Sequence, residues 1–227
     1  MQSLSLAIGI GAAIATIAAT VGAVVFVQYL TRQHSRKTLQ PYAELRGWKE
    51  VPAGVKSLMP YGDSSWKRAL WGHASVSVAG NWKGAKAELA MTRVYKGRSA
   101  TVVAVACGQM SISPLGPVSI MAKGDVSFQY YAEQLKRNDL GRLQTSALGQ
   151  RFDFLGKATD VIALISPEIE HSLESFAGQI NNVSYDGKSV SITWLGFEQD
   201  PARIDAALEV ASALCVQAAV RRNDADR

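Results

Sequence analysis

The chain falls into two parts with different hydrophobic patterns. From Met1 to Thr31 there is no charged side chain, and Leu6 to Val27 is broken only by the hydroxyls of Thr16 and Thr20. From Arg32 onward, charges recur every few residues and the apolar positions fall into short periodic runs. That is a boundary between two solvents. As a helix, Leu6 to Val27 rises about 33 Å, enough to cross a hydrocarbon core of about 30 Å. A helix is required there because lipid offers no partners for backbone N–H and C=O groups. Thr16 and Thr20 can bond back to carbonyls one turn earlier. A cleaved signal peptide would need a basic start and a shorter apolar core, so a retained anchor is the expected reading.

The remaining pattern predicts α+β: a mainly antiparallel sheet, made of a β-meander and a C-terminal hairpin, packed with two or three helices. Thr38 to Trp48 reads as a short helix with Pro41 in its first turn, and Val51 to Ser65 as loop. Arg68 to Trp82, Ala85 to Tyr95 and Ser99 to Cys107 read as three strands, with Lys83-Gly84 and Lys96-Gly97-Arg98 as turns. Thr101 to Cys107 is apolar nearly throughout and belongs centrally in the sheet. Ser113 to Pro117 is a break, Val126 to Arg137 has helical spacing, Asn138 to Ser146 reads as polar loop, and Arg151 to Leu155 as a strand.

Ser166-Pro167-Glu168 starts a helix that Gly178 ends. Tyr185-Asp186-Gly187-Lys188 is a hairpin turn expected to set Val183 opposite Val190. Asp200-Pro201 starts a last helix with Ile204, Leu208, Ala211, Cys215 and Ala218 inward. The expected organisation is anchor at 1–31, basic juxtamembrane segment and short helix at 32–48, soluble domain at 49–220 and frayed tail at 221–227.

Charge adds an orientation. The cations flanking the apolar run, Arg32, Arg36 and Lys37, all lie on its C-terminal side, and such residues stay cytoplasmic. The expected topology is single-pass in the inner (plasma) membrane, with the N-terminus outside and the domain cytoplasmic. The same three residues can touch anionic headgroups. Gly11, Ala15, Ala19 and Ala23 recur every four residues with Gly22 beside them, a small-residue face that lets another transmembrane helix approach closely. The net charge of +5 forms no long run, so no nucleic-acid partner is expected.

Candidate chemistry is sparse. Cys107 and Cys215 each sit in apolar runs and read as buried free thiols. His34 reads as solvated, His73 has no ligand-type neighbour, and His171 with Glu170 and Glu174 reads as a solvent face rather than a metal site. The basic and aromatic residues Arg93, Tyr95, Lys96 and Arg98 read as a solvated hairpin tip. No phosphate loop, dinucleotide fingerprint or nucleophile elbow is present. No catalytic, metal or cofactor residue is assigned, and the balance is against an enzyme. The expected function is a non-catalytic, membrane-anchored interaction protein, an accessory or scaffold subunit of a larger inner-membrane complex. The alternatives are a lipid-headgroup or small-ligand binding module and an enzyme with a dispersed site.

Leu45-Arg46-Gly47-Trp48, Trp71-Gly72-His73 leading into the meander, Gln150 to Phe154, and Ala163-Leu164-Ile165-Ser166-Pro167 together resemble a family of single-pass bacterial membrane proteins of actinobacterial type and unknown function. The resemblance spans roughly Leu39 to Ala219. It implies this topology and no site. The chain departs from that pattern at Ser166, where threonine is commoner, and in the aromatic segment near Phe128.

Overall fold

The computed structural model describes residues 2–51, 76–93, 99–107, 115–123, 140–176, 180 and 182–225. The fold is α+β, with a long apolar N-terminal helix, an eight-stranded sheet and several further helices.

Helix α1 runs unbroken over Gln2–Arg46. The short helix expected from Thr38 is its C-terminal portion, and Pro41 lies inside it. At about 1.5 Å per residue it is roughly 67 Å long. Its end has a physical cause. Gly47 adopts a φ of 65°, the Trp48 N–H donates to Ala43 O (2.8 Å), and the Gly47 N–H donates to Glu44 O (3.3 Å). This left-handed cap satisfies the last carbonyls and turns the chain into the sheet.

The strands are β1 (Lys49–Val51), β2 (Val76–Trp82), β3 (Ala85–Arg93), β4 (Ser99–Ala106), β5 (Val118–Ala122), β6 (Phe152–Leu155), β7 (Asn182–Tyr185) and β8 (Ser189–Leu195). Their order is β1-β2-β3-β4-β8-β7-β5-β6, and every neighbouring pair is antiparallel. The meander is as expected, and β4 is central. The chain leaves β4 and builds β5 and β6 at a distance, and the late hairpin β7–β8 then fills the gap.

That hairpin has its turn where expected but a different register: Tyr185 faces Val190, and Val183 faces Ile192. The Asp186 N–H donates to Ser189 O, which makes Gly187 and Lys188 the two loop residues. Gly187 supplies the positive φ of 91°. Asp186 Oδ1 accepts from the Lys188 and Ser189 N–H groups.

Helices α2 (Arg142–Thr145), α3 (Ala147–Arg151) and α4 (Ala158–Leu164) were not expected. The supposed polar loop up to Ser146 instead buries Leu140 and Leu143, and β5 lies directly after the expected break. Short elements like these carry too few residues to show a period. Helix α5 (Pro167–Phe176) starts on Ser166, whose Oγ accepts from the Ile169 N–H. Helix α6 (Pro201–Ala225) starts on Asp200, whose Oδ1 accepts from the Ala202 N–H. It buries Ile204, Leu208, Ala211, Cys215 and Ala218 as expected, and it continues past Arg221.

One core joins the C-terminal part of α1, the helices α4 to α6 and one sheet face, with Leu89, Met91, Val103, Val105, Val190 and Ile192 fully buried at its centre. The expected loop at 52–65, the strand start at 68–75, the hairpin tip at 94–98, residues 113–114, the helix at 126–137 and Gly178 lie outside the described residues.

Candidate functional site

The functional region that can be built from residues upward is α1 and its seat on the sheet. Over its N-terminal two-thirds, Ile17, Val21, Val25, Phe26, Tyr29 and Leu30 are all about half exposed or more, so among the described residues nothing covers them. Among the described residues, this is the one helix long and apolar enough to cross a membrane. Thr20 Oγ1 donates to Thr16 O (2.8 Å), so that hydroxyl is satisfied inside the helix. Ala15, Ala19, Gly22 and Ala23 are exposed, and a Cβ placed on Gly22 would meet nothing within 4 Å. The small-residue face is therefore open. Gly11 is helical, and its surroundings lie outside the described residues.

Below the apolar half, the expected basic group divides. Arg32 and Lys37 are exposed. Arg36 forks onto Glu50 of β1, with Nη2 to Oε1 at 2.6 Å and Nε to Oε2 at 3.0 Å. Both partners are well exposed, so the pair contributes about 0–1 kcal/mol. Its main effect is to fix where the side chain points. His34 is exposed, but its ring packs against Phe197 with centroids 5.1 Å apart, so it is not simply solvated.

From Ser35 onward α1 docks. Ser35, Thr38, Leu39, Tyr42 and Ala43 are buried at helical spacing. The seat ends in a clamp. Trp48 lies directly over Gly80 of β2, so closely that a Cβ there would sit 2.2 Å from the indole Cδ1. Tyr42 meets Trp48 edge-on at 5.6 Å. The Tyr42 hydroxyl donates to Asp205 Oδ1 of α6 at 2.7 Å, and Arg46 pairs with Asp205 Oδ2. The Arg46 guanidinium also lies 5.3 Å from the Trp82 ring centroid. Asp205 thus holds α1 against α6.

Burial, and then the bond to Asp205, push the Tyr42 hydroxyl well above the ordinary tyrosine range. The folded state binds this proton more tightly than the unfolded chain does. The stabilisation is therefore complete below about pH 10 and fades as pH rises beyond it. Replacing Asp205 with alanine strands the buried hydroxyl and is expected to lower stability by about 1–3 kcal/mol. Urea titration of the detergent-solubilised chain checks this.

The other candidates do not assemble into a centre. His171 is exposed, while Glu170 is buried and Glu174 half-buried. Among the described residues, no three metal-type side chains come together. His73, Tyr95, Lys96 and Arg98 lie outside the described residues.

The free-thiol reading of the cysteines is overturned. Cys107 and Cys215 form a disulfide, with Cα atoms 4.8 Å apart and a separation of 108 positions in sequence. Cys107 directly follows β4, the strand that α6 packs against, and Cys215 is on the inward stripe of α6. No spacing rule links positions so far apart. Asp205 and Trp82 carried no sequence signal either, because the first acts only with α6 beside α1 and the second only with α1 laid against β2.

The described residues define a protein with a candidate membrane helix built continuously into an antiparallel α+β domain. No protein-family model and no curated protein matches the chain. A solved structure, the crystal structure of the mycobacterial trehalose monomycolate transport factor A (TtfA), is similar in fold. The TM-score is 0.52 at 13% identity, covering 80% of this chain and 92% of that one.

Proposed function

We propose that this chain is a non-catalytic, membrane-anchored interaction protein, an accessory or scaffold subunit of a larger inner-membrane complex. The observation that carries the reading is the unbroken course of α1 from an uncovered apolar half into the Trp48–Gly80 and Asp205 clamp. With no flexible linker between the two, a partner helix packed on Ala15, Ala19, Gly22 and Ala23 would fix the sheet's position as well. The fold neighbour is a transport factor, which supports a role beside a membrane transport system. The flanking Arg32 and Lys37 support a cytoplasmic domain and an outward N-terminus. The resemblance noted in the sequence supports membership of the actinobacterial-type single-pass family.

The test is mild-detergent purification of the tagged chain. A membrane protein is expected to co-purify, and to be lost when Ala19 and Ala23 are both replaced by leucine. Migration as a lone monomer would overturn the reading.

A second reading, a headgroup-binding surface, is favoured by Arg32 and Lys37 being exposed next to the span. It expects a chain starting at Arg32 to float with anionic liposomes at low salt and to be released as salt screens the contact.

A further inference from the structure

The Cys107–Cys215 bond is one of several contacts that hold α6 on the sheet. Ile204, Leu208, Ala211 and Leu214 of α6 are also buried in the core, and the domain is far larger than the small scaffolds that need stapling. The two sulfurs are also unequal. Cys215 is buried, whereas Cys107 is half-buried one residue past β4, with its N–H donating to Lys188 O (2.9 Å) beside the exposed β7–β8 turn.

We propose that Cys107 and Cys215 form a redox couple that peroxide closes, with Cys107 the sulfur oxidised first. The structure shows the closed, oxidised form; that a reduced form precedes it rests on the cytoplasmic placement proposed above, where the resting state of a thiol pair is reduced. The Cys107 thiolate attacks one peroxide oxygen; the O–O bond breaks, leaving a sulfenic acid and one water. Cys215 then attacks that sulfur; the S–O bond breaks, the S–S bond forms, and a second water leaves. Two thiols lose two electrons and two protons, and one hydrogen peroxide becomes two waters. Closure fixes α6 to the sheet about ten residues, roughly 15 Å, from the Asp205 clamp on α1.

The full-length chain in intact cells is acid-quenched and alkylated with a maleimide–polyethylene glycol, before and after a brief hydrogen peroxide pulse. The expected result is two adducts per untreated chain, and at least a fivefold loss of doubly labelled chain after the pulse. In Cys215→Ser the pulse should leave Cys107 reactive to dimedone, while in Cys107→Ser little dimedone should enter at Cys215. A bond already closed in untreated cells, or two thiols still free after the pulse, overturns the proposal. So does dimedone entering at Cys215 in preference to Cys107. Membrane-impermeant protease on the same cells separates the two readings: digestion of the domain overturns the placement, whereas a protected domain with unresponsive thiols overturns the couple alone.

Discussion

Trp48→Ala is expected to lower the free energy of unfolding by about 3–5 kcal/mol, the range for removing a large buried aromatic. The indole is 7% exposed and fills the space that Gly80 leaves on β2. Truncation leaves a void that backbone cannot fill, because the sheet on one side and α1 on the other are each held by their own hydrogen bonds. It also removes the edge-on contact with Tyr42, a further 0.5–1.5 kcal/mol or so within that range. The complementary change is Gly80→Val, which drives a side chain into the indole and should be destabilising by a similar amount. Urea unfolding of the detergent-solubilised chain, followed by tryptophan fluorescence and circular dichroism, measures both. A loss under about 1 kcal/mol for Trp48→Ala would show that α1 is not seated on the sheet in this way.

Ile17→Asp is expected to move most of the protein out of the membrane fraction. Ile17 lies near the middle of the uncharged run and is 64% exposed. A carboxylate at the centre of a spanning helix carries a penalty of about 2.5–3.5 kcal/mol, a factor of roughly 100 in partition. This anchor is rich in alanine and glycine, so it has little apolar excess to offset such a loss. The same substitution should leave the domain's own unfolding transition unchanged, since Ile17 touches none of it. Carbonate extraction of isolated membranes reads the effect. A variant that stays in the pellet like the parent chain would exclude a bilayer as the environment of this helix.

Local signals in the chain were reliable where the physics is local. The uncharged run, the Ser166 and Asp200 caps and the Gly187 turn each follow from one or two residues whose backbone or side-chain chemistry permits few alternatives. The β2–β3–β4 meander was legible because short glycine-containing turns force neighbouring runs to pair. The inward stripe of α6 was legible because 25 residues show their period clearly. The register of the last hairpin was misjudged by two residues, since a turn motif indicates where the chain reverses but not which residues close it. Strand β5 and helix α4 were missed because five and seven residues cannot show a period beside the Ser113–Pro117 break and the loop after β6.

By itself, the sequence determined that an apolar helix leads into an α+β domain and that cations flank that helix on one side only, because charge and hydrophobic period are properties of neighbours along the chain. Only the tertiary structure decided that the apolar helix continues unbroken into the core, that β7–β8 inserts beside β4, that Asp205 joins α1 to α6, and that two distant cysteines bond. Those outcomes turn on which surfaces meet across tens to more than a hundred residues, where long-range packing and hydrogen bonding select among arrangements that local propensity leaves equivalent.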